Sequence, residues 1–193
     1  MIGIRGLFLG RFQPFHIGHL NGVQRILREC TSVLIVISSS HECHTLDNPF
    51  SGGERYEMIK RTMLELDIAP ERYDIIPIGF YDSTPSFVAA TISSSPAFQR
   101  VYSGNPQVIS LFSSWHYEVR PIHSDKTSGT EVRRKIVMNE TWEPFVPSPV
   151  ADFLHTINGL QRIKLLDQSA SREGLISATV PQSIRGLPFK PQP

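Results

Sequence analysis

Apolar and polar positions along the chain change period several times, and the changes mark out its elements. From Ile4 to Leu9 apolar residues run on rather than alternate, which predicts a strand over Arg5 to Leu9 buried on both faces. Gly10 breaks the run, and from about Gly18 to Glu29 the positions Leu20, Val23, Ile26 and Leu27 recur at helical spacing. Val33 to Ile37 is the clearest strand, β-branched and continuous. A polar loop from Ser38 to Phe50 leads into Ser51-Gly52-Gly53-Glu54, spaced as a capping box. The helix it opens continues through Met58, Ile59, Met63 and Leu66 until Pro70. Tyr73 to Ile78 predicts a third strand, placed near an edge by Pro77.

The second half repeats the alternation. Gly79 to Pro85 reads as loop and Phe87 to Ile92 as a short helix. Arg100 to Tyr102 predicts a fourth strand ending in Gly104-Asn105-Pro106, with Pro106 as the first residue of a helix through Phe112. Tyr117 to Ile122 predicts a fifth strand. Ser128 and Glu131 then have the spacing of a second capping box. Ser148 opens a helix to about Ile157, and Leu160 to Leu166 reads as one more. Strands alternating with helices predict an α/β fold, a Rossmann-like doubly wound parallel sheet of about five strands with helices on both faces, plus C-terminal helices. Residues 1–167 make one domain on this reading. After Asp167 the chain turns Ser-, Gly- and Pro-rich, and 168–193 reads as a flexible tail.

Composition narrows the class without naming a chemistry. A chain of 193 residues with 40% hydrophobic and 19% charged residues can bury a core of its own. A formal charge of +1 gives no basic surplus for nucleic acid or a membrane surface. Runs such as Val33 to Ile37 are too short to span a bilayer, and Met1 to Arg5 lacks the layout of a signal peptide. Cys30 and Cys43 are too few for a disulfide scaffold and read as reduced thiols of a cytoplasmic protein.

The chemistry gathers at one edge. Loops after the first, second, fourth and fifth strands all leave the carboxyl side of a parallel sheet, where ligands bind at the point of strand-order reversal. The first of them, Gly10-Arg-Phe-Gln-Pro-Phe-His16-Ile-Gly-His19, runs from a strand through a turn to a helix start. Free backbone N–H groups and the helix dipole make that place an anion site. Gly18 lets the backbone approach a phosphate. His16 and His19, three apart, share a helix face and can donate to oxygens on which charge builds. Arg133 stands one turn inside a capped helix facing the same crevice and reads as anion-binding, whereas Arg134 stays open between site and solvated face. His41, Cys43 and His44 offer three zinc ligands but no fourth, so His44 is read as lining the loop.

This stretch resembles the signature of the HxGH nucleotidyltransferase superfamily, and specifically of archaeal-type nicotinamide-nucleotide adenylyltransferases. His44-Thr-Leu-Asp-Asn48-Pro-Phe-Ser-Gly-Gly-Glu-Arg55, Val101-Tyr-Ser-Gly104-Asn105-Pro, Ser128-Gly-Thr130-Glu-Val-Arg133-Arg and Ile157-Asn-Gly-Leu-Gln-Arg-Ile163 agree with it, so the resemblance covers residues 4 to 166. It implies that the phosphate of nicotinamide mononucleotide attacks the α-phosphorus of ATP, giving NAD and pyrophosphate. On that reading His16, His19, Arg11 and Arg133 are the catalytic set, the guanidiniums clamping the triphosphate. Gly10, Phe12, Gly18, Gly104, Asn105, Ser128 and Thr130 fall to ATP. Ser39, His44, Asn48, Thr84 and Phe87 fall to the nicotinamide nucleotide. Mg2+ is expected to arrive with ATP and need few or no protein ligands. The resemblance also implies a homo-oligomer.

The chain departs from the family pattern in two places. The usual Gly-Ser-Ala-Gln after the second strand is Ser38-Ser39-Ser40-His41. Beyond the third strand an aspartate, an asparagine and a tryptophan give way to Phe80, Thr84 and Phe87. Phe87 keeps an aromatic face, but Thr84 cannot reproduce the paired geometry of a carboxamide. The ATP half is kept and the acceptor half altered, which leaves nicotinate mononucleotide or a flavin or pantetheine phosphate as alternative acceptors. Two other classes compete. A class I aminoacyl-tRNA synthetase also uses His-Ile-Gly-His, but this chain is too short for a tRNA-binding region and lacks the lysine-rich second signature. A nucleotide sensor without turnover has no need of His16, His19 and Arg133.

Overall fold

The structure is a computed structural model that describes residues 3–79, 84–122 and 127–179, apart from the side chains of 84 and 172–179. Five strands, β1 (Arg5–Gly10), β2 (Ser32–Ile37), β3 (Tyr73–Pro77), β4 (Arg100–Ser103) and β5 (Glu118–Pro121), pair in parallel in the order β3-β2-β1-β4-β5. Among the described residues seven α-helices connect and extend them: α1 (Ile17–Glu29), α2 (Gly52–Glu65), α3 (Thr84–Ser94), α4 (Pro106–Ser114), α5 (Gly129–Val137), α6 (Ser148–Thr156) and α7 (Gly159–Thr179). The doubly wound fold expected from the alternation is present.

Continuous apolar strands are needed because both faces of the sheet are covered. The pleat sends Phe8, Ile35, Ile37 and Tyr102 to one face, where Val23 and Ile26 of α1, Met58 and Ile59 of α2 and Val132 of α5 meet them. Leu7, Leu34, Val36 and Val101 point the other way, under Val88 of α3 and Phe112 of α4. Each fully buried Leu, Ile or Phe of this kind contributes roughly 1.5–3 kcal/mol.

Caps fix where the helices start. Ser51 accepts from the Glu54 N–H at 3.2 Å, and Glu54 accepts from the Ser51 N–H at 2.8 Å, so the first capping box is complete. Glu54 also takes Arg162 of α7 at 2.7 Å, which ties the C-terminal helices to α2. At α5 only half the box forms. Ser128 accepts from the Glu131 N–H at 3.1 Å, but the Glu131 carboxylate turns to Arg134.

The elements differ from the sequence expectations at some ends. The helix expected over Phe87 to Ile92 begins earlier, at Thr84. The last helix does not stop at Leu166 but runs to Thr179. Its serines are accommodated because Ser169 and Ser171 donate to the carbonyls of Leu165 and Asp167, four residues back. The remainder of the expected tail, 180–193, and Phe80 lie outside the described residues. Among the described residues no helix is long and apolar enough to cross a membrane.

Candidate active site

Strand order reverses between β1 and β4, and a cavity of about 240 Å3 opens at the carboxyl ends of these two strands. Leu9, His16, Gly18 and His19 form one side, Ser103, Gly104 and Asn105 another, and Thr127 and Ser128 a third. Three chain segments far apart in sequence meet there.

The β1–α1 loop is built to fix two imidazoles. Phe12 has a left-handed backbone, φ 54°, and its ring is buried between Phe8, Phe15 and His19, meeting His19 edge-on at 4.8 Å. Expected at the nucleotide, Phe12 is placed in the core, where it braces His19. His16 caps α1 and stacks on His19 with ring centroids 3.5 Å apart. The His16 backbone N–H donates to Nδ1 of His19 at 3.2 Å. An Nδ1 that accepts must leave the proton of a neutral ring on Nε2, so His19 offers Nε2–H as a donor. Burial lowers the His16 pKa to about 4, and burial with the nearby His16 charge lowers that of His19. Nδ1 of His16 is buried without a hydrogen-bond partner among the described residues, a cost that a ligand can relieve.

Across the cavity α5 begins so close to this loop that only glycine fits. A Cβ on Gly129 would lie 2.7 Å from the Gln13 carbonyl oxygen. The approach lets Arg133, one turn on, donate from Nη1 to that same oxygen at 2.8 Å. Its Nη2 lies 3.4 Å from both Thr130 Oγ1 and Asp47 Oδ1. Burial lowers the Arg133 pKa, and the exposed Arg11 pushes in the same direction. At β4, a Cβ on Gly104 would meet the Ile122 carbonyl at 2.8 Å, and Asn105 caps α4 by accepting from the Gln107 N–H at 2.8 Å. Arg134, left open by sequence, pairs with Glu131 and Glu140 on an exposed face.

A family model described as cytidylyltransferase-like matches residues 7–135. The chain belongs to that family. Nicotinamide-nucleotide adenylyltransferases within reach of it include that of Thermoplasma volcanium, 41% identical over 165 residues, or 84% of this chain and 92% of that one. That of Methanococcus vannielii is 40% identical over 168 residues, 86% of this chain and 96% of that one. A bifunctional NMN adenylyltransferase/ADP ribose pyrophosphatase from Francisella tularensis, solved with AMP and a Mn ion, shares the fold. It matches with a TM-score of 0.71 at 20% identity, over 98% of this chain and 58% of that longer one.

In this member of the cytidylyltransferase-like family the residues expected at the acceptor stand apart from the cavity between the imidazoles and α5. None of Ser39, His44, Asn48 and Phe87 lines it. Ser39 and His44 are left-handed, at φ 47° and 56°, on a loop held in an unusual path. Asn48 is buried and donates to Glu42 at 2.6 Å, while its Oδ1 lacks a partner among the described residues. Phe87 is half-buried against the α3 side of the core, and Thr84 opens α3.

Sequence reasoning overlooked two residues that hold this geometry. Arg55 is fully buried and bonds five main-chain oxygens, those of Ser51, Arg11, Ser38, Ser39 and Glu42, at 2.9 to 3.4 Å. Burial lowers its pKa to about 10, so it stays charged at neutral pH. Its signal was a charge on the inward stripe of α2, in line with Met58, Ile59 and Thr62. Gln13 is the other. Its side-chain amide donates to the Phe50 carbonyl at 2.8 Å and accepts from the Phe50 N–H at 3.0 Å, joining the first loop to the start of α2.

Proposed function

We propose that the protein joins the AMP part of ATP to nicotinamide mononucleotide. A phosphate oxygen of the mononucleotide bonds to the α-phosphorus. The bond from that phosphorus to the bridging oxygen breaks in line, and its electron pair leaves with pyrophosphate. No proton need move, so the protein's work is to position the partners and to meet charge. Nε2–H of His19 and the ring of His16 serve the α- and β-phosphate oxygens, where charge redistributes. The start of α5, with Ser128 and Thr130, takes the outer phosphates. Arg133 and Arg11 supply the cations.

One observation carries the reading: a tautomer-fixed imidazole donor faces a cavity at the strand-order reversal, within one loop of a buried guanidinium. Among the described residues no group of three or more His, Cys, Asp or Glu side chains is placed to hold a metal. Mg2+ enters on the triphosphate as part of the substrate. Cys30 and Cys43 are free thiols, which suits a cytoplasmic enzyme drawing on ATP. A homo-oligomer belongs to the same proposal, and light scattering tests it.

Pyrophosphate release from ATP, assayed in parallel with nicotinamide, nicotinate, flavin and pantetheine phosphates, tests the function. Turnover with nicotinamide mononucleotide and formation of NAD is the expected result. Faster turnover with nicotinate mononucleotide is the second reading, and it draws on the changed residues Thr84 and Phe87. A protein that releases no pyrophosphate with any acceptor would be a sensor.

A further inference from the structure

Adenylyl transfer leaves one contact of Arg133 unused. Its Nη1 is held by a main-chain oxygen at 2.8 Å, but its Nη2 faces the carboxylate of Asp47 at 3.4 Å. The two ends differ in permanence. A charge-assisted N–H···O bond closes to about 2.7–2.9 Å, so the second contact is loose. The Arg133 side chain is 9% exposed and that of Asp47 78% exposed, so the carboxylate can leave for water at little cost. The other charge acting on Arg133 is the cation Arg11, which makes Asp47 the anion that offsets burial of this guanidinium.

From this geometry we infer that Asp47 is a stand-in anion, seated in the free protein on the end of Arg133 that the triphosphate takes, and that it limits ATP affinity by competing there. The inference rests on the triphosphate reading above. Asp47 lies on the β2–α2 loop, beside Asn48 and within hydrogen-bond reach of α5. Binding of ATP trades one carboxylate for a more highly charged group at the same nitrogen. The exchange keeps a buried cation neutralised in both states and spares the free protein an unpaired buried charge.

Calorimetric titration of Mg·ATP without acceptor into wild type, Asp47→Asn, Asp47→Glu and Asp152→Asn tests this, Asp152 being an exposed carboxylate on α6. Asp47→Asn is expected to bind about 3- to 10-fold tighter, as the loss of a weak competing ion pair allows. The other two variants should stay within about twofold of wild type. Without ATP, Asp47→Asn should melt below wild type, and saturating ATP should raise its melting temperature by the larger step. Equal binding by Asp47→Asn would overturn the inference. So would weaker binding, the result expected if Asp47 instead held the metal carried by the nucleotide. A wild-type protein that binds no ATP would defeat the adenylyl-transfer reading itself, a result distinct from either.

Discussion

The backbone N–H of His16 reaches Nδ1 of His19 at 3.2 Å, so the first turn of α1 sets the tautomer of its own second histidine. The donor aimed at the cavity is decided by local backbone, with no second side chain needed to orient the ring. The cost is that both imidazoles are packed face to face, 3.5 Å apart, where burial disfavours their charged forms.

His19→Ala should therefore lower kcat about 10²–10³-fold, the effect of losing one preorganised donor to developing charge. Its affinity for ATP should change much less. Pyrophosphate release and calorimetric ATP binding, measured on the same preparation, separate the two. Unchanged turnover would remove His19 from the reaction.

Acid should loosen the fold through the same pair. The folded-state pKa of His16 is lowered from 6.5 to about 4, and that of His19 is lowered as well. Between these values the unfolded chain takes up protons that the folded chain refuses, so stability falls as pH drops from 6.5 toward 4. The loss should reach a few kcal/mol, at about 1.4 kcal/mol per pKa unit. Urea unfolding at several pH values measures it, and His16→Asn should flatten the dependence. A triphosphate bound beside them should raise the imidazole pKa values again. ATP binding below pH 6.5 should then be accompanied by proton uptake, read as a dependence of the heat on buffer.

Arg55→Met would leave five carbonyl contacts without their donor. A loss of about 3–5 kcal/mol is expected, the range for removing one partner of a buried charged interaction. That corresponds to a fall of about 10 °C in Tm for a chain of this size. Arg55→Lys keeps the charge but has fewer donors in a different geometry, and should recover only part of the loss. Thermal unfolding followed by circular dichroism ranks the three proteins.

Gly129→Ala tests the close approach of α5. Its Cβ would sit 2.7 Å from the Gln13 oxygen that Arg133 also uses and 3.2 Å from the Gln13 carbonyl carbon, both backbone atoms, so the helix must back away. A misplacement of this order costs about 10–100-fold in kcat/KM. The loss should be seen with ATP varied, while the far-ultraviolet spectrum stays that of the parent.

Most of the sheet was legible because strands buried on both faces announce themselves as unbroken apolar runs, as Val33 to Ile37 does. The Ser51–Glu54 box was legible for a similar reason: cap and first turn lie within four residues of each other. What escaped depended on distance. Glu131 satisfies the same spacing rule as Glu54, yet its carboxylate has arginine partners available, and the local pattern cannot see them. Phe12 looks like a ligand-loop aromatic until its neighbours fold around it. Arg55 gathers oxygens from residues up to 44 positions away, and no window of sequence holds them together. The imidazole pair was the exception, since its three-residue spacing carries its own geometry.

The way Arg55 does its gathering has an outcome for how this protein can change. Every oxygen it grasps belongs to the main chain, so its hold on the loop asks for no particular side chain on the residues it grasps. The run Ser38-Ser39-Ser40-His41 can then be worn without rerouting the loop. Side-chain changes that the left-handed backbone at Ser39 tolerates can accumulate along that segment while its path is dictated from below.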